Sequence, residues 1–185
     1  MNRFIIDYDV VSIAQSLCDQ HIVKMPLEEC QMLCTALWHH EPDYAESEGL
    51  YKPVHQKHPC TLWAMHSRSN YEYAFSLYVA MLNEYTYRYG KVHGANKHSV
   101  ALANGSFLIP EGWQTPHPQC FSGLDHLKDD ENIMYPINAY RKFYYVDKMR
   151  FARYNKGRYM PEWLSEMRID NAENVLQKSK TLETA

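Results

Sequence analysis

Long apolar runs are absent from this 185-residue sequence, because Asp, His, Lys or Glu interrupts each hydrophobic stretch within a few residues. A membrane-spanning helix needs about 20 consecutive apolar residues, so the sequence predicts no membrane partner. The first residues also lack the apolar segment of a signal peptide. We therefore expect a cytoplasmic protein.

Cysteine pairs of the CxxC type are also absent, and the five cysteines are an odd number. A secreted disulfide framework uses an even set with regular spacing, so we expect reduced thiols that fill the core. These residues are Cys18, Cys30, Cys34, Cys60 and Cys120.

Several common catalytic motifs are missing as well. The chain contains no G-x-G-x-x-G, no Walker A loop, no G-x-S-x-G, no HExxH and no His-Asp dipeptide. Their absence argues against the usual dinucleotide-binding, P-loop and serine-hydrolase classes. We expect no cofactor.

The overall composition is that of a globular protein, with 45% hydrophobic and 22% charged residues. Tyrosine and histidine are abundant, at 15 and 10 residues. The net charge of −3 is unevenly distributed, since residues 141–158 contain seven cations and one acid. This segment is therefore at +6 and the remaining chain at −9.

Apolar residues recur at helical spacing and no strand pattern is visible, so the sequence predicts an all-α fold. We expect a single compact domain of three to five helices with long irregular loops over residues 1–165. Residues 166–185 are polar and are expected to form a tail or a frayed helix.

Three long helices are predicted. The first follows Asp9 or Ser12, with a bend near Val23 or a restart at Pro26. The second runs from Pro59 to Gly90, and the third from Ile137 to about Arg153. A short helix is expected at 97–103, whereas 39–56 and 104–136 are expected to be irregular, and 161–164 a docking turn.

His21, Lys24 and Glu28 are spaced i, i+3 and i+7, which puts them on one helix face if the helix continues through Pro26. An amine beside a carboxylate is the pairing that imine chemistry needs, because the carboxylate can stabilise developing positive charge. The alternative is a surface ion pair between Lys24 and Glu28, with His21 in the core.

Aromatic and basic residues alternate from Tyr140 to Tyr159. Such a pattern is typical of nucleic-acid binding, where rings stack on bases and cations contact phosphates. An amphipathic helix with buried rings and solvated cations would give the same pattern.

Histidines also cluster in the sequence, with HxxH at His55 and His58, His39 beside His40, and then His93 and His98. Imidazole is a common metal ligand, so a histidine-ligated metal site is a further hypothesis. The predicted catalytic site itself contains no metal.

Two segments resemble a known family. Leu17-Cys18-Asp19-Gln20-His21, followed by Glu28, is similar to the Ala-Asp-Gln-His segment and catalytic glutamate of the phage-type pyrimidine-dimer DNA glycosylases, the endonuclease V group. His58-Pro59-Cys60-Thr61-Leu62-Trp63, leading to Tyr87-Arg88-Tyr89-Gly90, resembles the second helix of that family. Arg3 matches an arginine near the family's start, and the whole chain looks like small proteins of tailed phages.

The resemblance implies an all-α DNA glycosylase with abasic-site lyase activity, which works through an imine without a metal. The family's nucleophile is the α-amine of a threonine exposed by removal of the initiator methionine. Here Asn2 follows Met1, and Leu27 occupies the position of an arginine that precedes the family's glutamate. Three alternatives remain: the Met1 amine is the nucleophile, Lys24 has taken that role, or the fold only binds.

We therefore predict an enzyme that breaks the glycosidic bond of damaged or modified pyrimidines in duplex DNA. The predicted catalytic residues are Glu28, Lys24, His21 and Met1, and the predicted DNA-binding residues are Arg3, Arg141, Lys142, Arg150, Arg153 and Tyr154. Two other classes stay open: a non-catalytic nucleic-acid-binding phage protein, and a histidine-ligated nucleotide hydrolase.

Overall fold

The computed structural model describes residues 2–129 and 131–171, which contain eight α-helices and no strand. The helices are α1 (Val10–Ser16), α2 (Asp19–His40), α3 (Pro42–Ser47), α4 (Pro59–His66), α5 (Arg68–Tyr89), α6 (Ser99–Asn104), α7 (Ile137–Phe143) and α8 (162–171). The all-α prediction is confirmed, and the predicted number of three to five helices is too low.

The first predicted helix is divided at Leu17 and Cys18. Asp9 caps α1, since its Oδ2 accepts the Ser12 N–H at 2.8 Å. α2 then continues through Pro26, so the predicted restart at Pro26 is wrong. The helix tolerates the ring, although Pro26 cannot donate the usual backbone hydrogen bond.

The second predicted helix is divided at Ser67, which has an extended backbone at φ −153° and ψ 156°. Its Oγ accepts the Asn70 N–H at 3.3 Å and so caps α5. α5 ends where expected, because Gly90 adopts the left-handed conformation at φ 63° that glycine tolerates best. Apolar periodicity continues across so short a break, which explains why the sequence pattern missed it.

The predictions for the loops, the short helix and the third long helix agree with the structure in part. α3 lies inside the stretch expected to be a loop, and α6 matches the expected short helix. Residues 105–129 and 131–136 are irregular apart from 3₁₀ turns at Gly105–Leu108 and Asp125–Leu127. α7 is shorter than predicted, because the backbone widens into a π-helical turn at Tyr144–Lys148.

Buried side chains form two hydrophobic clusters, and the two long helices α2 and α5 contribute to both. Ile22 of α2 and Met81 of α5 belong to the first cluster, which also contains residues of the N-terminal segment 4–6 and of α7. Leu33 and Tyr78 belong to the second, with α4 and α6. α2 therefore holds residues of both clusters in one continuous element.

The C-terminal prediction is only partly covered by the structure. Residues 162–171 are helical, so the expected docking turn at 161–164 opens α8 instead, and residues 172–185 lie outside the described residues. Met1 lies outside them too. Within the described part of the chain, no helix combines the length and apolar character needed to cross a bilayer.

Candidate active-site cavity

His21, Lys24 and Glu28 line one cavity of about 230 Å³. They share a face because α2 is continuous, so seven residues return nearly to the same direction. The full lining comprises Asn2, Phe4, His21, Lys24, Met25, Glu28, Cys120, Ser122, Phe143, Asp147 and Lys148. The structure thus brings together the three predicted α2 residues, while Met1 lies outside the described residues.

Lys24 and Glu28 form an ion pair at the edge of this cavity, with 3.1 Å between Nζ and Oε1. The Lys24 side chain is 69% exposed and that of Glu28 only 12%. The amine is therefore accessible to a ligand, whereas the carboxylate is held mostly inside the protein. An i, i+4 ion pair of this kind contributes about 0.3–0.5 kcal/mol to stability.

His21 is buried at the back of the cavity and is 6% exposed. Its ring stacks on Phe4 with 4.8 Å between centroids, and its Nδ1 lies 2.9 Å from the Tyr144 hydroxyl. Burial, with a smaller contribution from Lys148 and Lys24, lowers the pKa of His21 to about 3. The imidazole is therefore neutral near pH 7 and cannot serve as a cationic phosphate contact.

Tyr144 determines how His21 is held. The Tyr144 hydroxyl accepts the Cys18 backbone N–H at 2.9 Å, so its own hydrogen can be donated to His21 Nδ1. That arrangement leaves the proton of the neutral ring on Nε2. The combination of ring stacking and hydrogen bonding orients the imidazole beside Glu28 in the cavity.

Two cavity residues were missed as catalytic candidates, Asp147 and Lys148. Both belong to the π-helical turn after α7, and their Nζ–Oδ2 distance is 2.5 Å. Lys148 also lies over the Phe143 ring, 5.2 Å from its centroid. Lys148 is one of the cations of the basic segment, but only the fold shows that it faces α2. The cavity thus holds two amines and two carboxylates.

Arg3 does not have the predicted DNA-binding geometry. It is 2% exposed, its Nε donates to both carboxylate oxygens of Glu29 at 3.0 and 3.2 Å, and its Nη2 bonds to the same carboxylate. Its guanidinium also lies over Trp63, 4.8 Å from the ring centroid. Arg3 is therefore a buried residue of the core, and the prediction that it binds DNA is corrected.

Two further predicted DNA contacts have partners inside the protein. Arg141 donates to the Ile6 carbonyl at 2.9 Å and lies over Trp163. Tyr154 is half-buried, and its hydroxyl donates to the Ser16 carbonyl at 2.9 Å. The side chains that remain exposed are those of Lys142, Arg150 and Arg153.

The clustered histidines do not form a histidine metal site. Within residues 2–129 and 131–171, one group has three metal-binding side chains within 4.8 Å of one another, and it comprises His58, Cys60 and Cys120. The HxxH partner His55 is not part of it. The histidine-ligated hydrolase is therefore not supported by the arrangement of the described histidines.

Cys60 and Cys120 are adjacent, with 3.7 Å between their sulfur atoms. The hydrogen bond from Cys60, with smaller contributions from Arg3 and Lys128, lowers the pKa of the Cys120 thiol. The same hydrogen bond and burial raise the pKa of Cys60 well above its ordinary value. Four of the five cysteines are buried as expected, and the half-buried exception is Cys120.

Comparison of the chain with protein-family models, curated proteins and solved structures gives no match.

Proposed function

We propose that the protein is a DNA glycosylase with abasic-site lyase activity, which acts on damaged or modified pyrimidines through an imine. The observation that carries this proposal is the position of Lys24 Nζ, 3.1 Å from the Glu28 carboxylate at the edge of a cavity. An accessible amine beside a shielded carboxylate is the pairing that this chemistry requires.

In the first step, Lys24 Nζ gives up a proton to water and attacks C1′ of the sugar, while the bond from C1′ to the base breaks. The base leaves with that electron pair and takes up a proton. The attached nitrogen then loses a proton, the C1′–O4′ bond breaks, and O4′ takes up a proton as the imine forms between C1′ and Nζ. The imine acidifies C2′, so loss of a C2′ proton expels the 3′ phosphate by β-elimination.

Glu28 stabilises the positive charge that develops on the sugar during the first step. Its burial supports this role, since a carboxylate with little water around it interacts more strongly with a nearby cation. Neutral His21 orients the sugar or Glu28 through Nε2, and Lys148 supplies a second cation for a phosphate. A flipped nucleotide would occupy the cavity, which places the reacting sugar at its mouth.

The test is borohydride trapping on duplex DNA that carries either an abasic site or a cyclobutane pyrimidine dimer, with a chelator present. We expect strand cleavage and a covalent adduct that peptide mapping places on Lys24. Glu28→Gln and Lys24→Met should each lower the rate by more than about 100-fold, as expected for loss of a catalytic group. Lys91→Met is the control, because it removes an exposed amine that does not line the cavity.

Absence of both cleavage and adduct with folded protein would overturn the proposal. An adduct on the chain's α-amine would support the imine chemistry and transfer the nucleophile's role from Lys24 to Met1. Full activity of Glu28→Gln would refute the role given to the carboxylate.

A second candidate function is binding of nucleic acid without catalysis. Exposure of Lys142, Arg150 and Arg153 favours it, because these side chains can contact phosphates without any change of fold. This function predicts salt-dependent DNA binding that survives Glu28→Gln. The two candidates therefore differ in their response to one cavity substitution.

A further inference from the structure

A second cavity, of about 290 Å³, lies next to the candidate active site, and the two share Cys120 and Ser122 as lining residues. His58 and Asp125 also line it. Beneath it, the ligand atoms of His58, Cys60 and Cys120 lie within 4.8 Å of one another. Thiolate and imidazole are the ligands that zinc prefers in proteins.

The spacing of the two sulfur atoms matches a zinc site. With Zn–S bonds of about 2.3 Å and tetrahedral angles, two thiolates on one ion lie about 3.8 Å apart. The observed Cys60 to Cys120 separation is 3.7 Å. Both sulfurs could therefore bind one ion with little movement of the backbone.

The ligands are held by well-defined local structure. His58 precedes α4 and its Nδ1 accepts the Cys60 N–H at 3.2 Å, so Nδ1 is the unprotonated nitrogen of the neutral ring. A zinc ion would bind at this nitrogen and replace that hydrogen bond. Cys120 is held from the other side, because Asn2 Nδ2 donates to its carbonyl at 2.9 Å. The neighbouring Gln119 amide bonds to both the N–H and the carbonyl of Asp129, which closes the loop that follows.

A reactive metal site also needs a coordination position that no protein ligand occupies, and the cavity provides space for it. His58 and Cys120 line it and are half-buried, whereas Cys60 is fully buried. A metal with three protein ligands there would present its fourth position to the cavity, where water or a small anion can bind.

A second cysteine pair in the chain differs from Cys60 and Cys120 in its surroundings. Cys30 and Cys34 are also neighbours, with 4.0 Å between their sulfurs, but both are fully buried in the core. Neither belongs to a group of three metal-binding side chains in the described ranges. They therefore provide a matched control for thiol chemistry.

We propose that His58, Cys60 and Cys120 form a binding site for one zinc ion with an open fourth position. Binding converts Zn²⁺ and two thiols into two zinc–thiolate bonds and releases two protons. Cys120 also lines the cavity of the Lys24–Glu28 pair, but none of the three ligands takes part in the proposed glycosylase reaction, so the two proposals can fail independently.

Cobalt titration of the full chain, reduced with a phosphine, tests the site directly. We expect saturation at one equivalent, a thiolate-to-cobalt charge-transfer band and displacement by zinc. Cys120→Ser should lower the affinity by more than about 100-fold, since even loss of an outer-shell partner costs about 10–100-fold. Cys34→Ala should leave the titration unchanged.

One additional variant and one further measurement test the ligands separately from the fold. His58→Asn retains a side chain that caps helices well, so a loss of cobalt affinity in the folded variant supports imidazole ligation. Native mass spectrometry of the zinc-loaded protein should show one ion with the loss of two protons. Failure to bind a stoichiometric metal, or a titration that Cys120→Ser leaves unchanged, would overturn the proposal.

Discussion

The Arg3 guanidinium and the Glu29 carboxylate form an ion pair in the core, and each side chain is 1% exposed. Removing one partner leaves the other charge buried without compensation, which costs about 3–5 kcal/mol. We therefore expect Glu29→Gln and Arg3→Met each to lower the free energy of unfolding by several kcal/mol. Urea denaturation measures the effect.

The double variant Arg3→Met/Glu29→Leu is the control for this pair. It removes both charges, so we expect it to be more stable than either single variant. If each single variant kept parental stability, the pair would have no structural role and Arg3 would again be a candidate for DNA contact.

Stability should fall as the solution is acidified below about pH 6.5. His21 and His117 are 6% and 3% exposed, and burial lowers the pKa of each from 6.5 to about 3. Between these values the unfolded chain binds protons that the folded chain excludes, so acid favours unfolding. Each histidine contributes at most about 1.4 kcal/mol per pH unit.

Urea denaturation between pH 7 and 5 measures this dependence. We expect His21→Gln to have a shallower slope than the parent, because one buried titrating group is gone. His126→Gln is the control, since His126 is exposed. Equal slopes for the parent and His21→Gln would show that folding does not lower the pKa of His21.

Gly105 is expected to reject a side chain. A Cβ at this position would lie 2.6 Å from Cδ1 of the buried Leu37 and 3.1 Å from Cε1 of Tyr44. Overpacking of this kind costs about 1–3 kcal/mol, so Gly105→Ala should lower the melting temperature. Gly94→Ala is the control, because no atom lies within 4 Å of the added Cβ. Similar melting temperatures for the two variants would contradict this prediction.

DNA binding, if present, should depend on the exposed cations after α7. Each phosphate contact adds about 0.9 to the slope of log affinity against log salt. Arg150→Ala/Arg153→Ala should therefore weaken binding and lower that slope by about 2. Lys52→Ala, in the segment before α4, tests for a general effect of charge. An unchanged slope in the double variant would place the DNA surface elsewhere.

Local features of the fold could be predicted because they depend on neighbouring residues. Asp9 caps a helix and Gly90 ends one, as expected from their side-chain and backbone preferences. The division of helices at Leu17 and Ser67 could not be predicted, since the apolar pattern is the same on both sides of each break. The choice there depends on contacts with distant residues, such as the bond from the Asp19 N–H to the Arg153 carbonyl at 2.9 Å.

The sequence by itself determined the helical class and the i, i+3, i+7 spacing of His21, Lys24 and Glu28, because helical periodicity is a local property. The structure decided that α2 continues through Pro26 and so gives these residues a common face. Only the tertiary structure decided that Arg3 is buried, that Lys148 faces α2 and that Cys60 meets Cys120. These outcomes depend on how distant segments pack, and a cation or thiol has the same local pattern whether it is buried or exposed. The positive charge of residues 141–158 was therefore visible in the sequence. Which of these cations are buried and which are exposed was not.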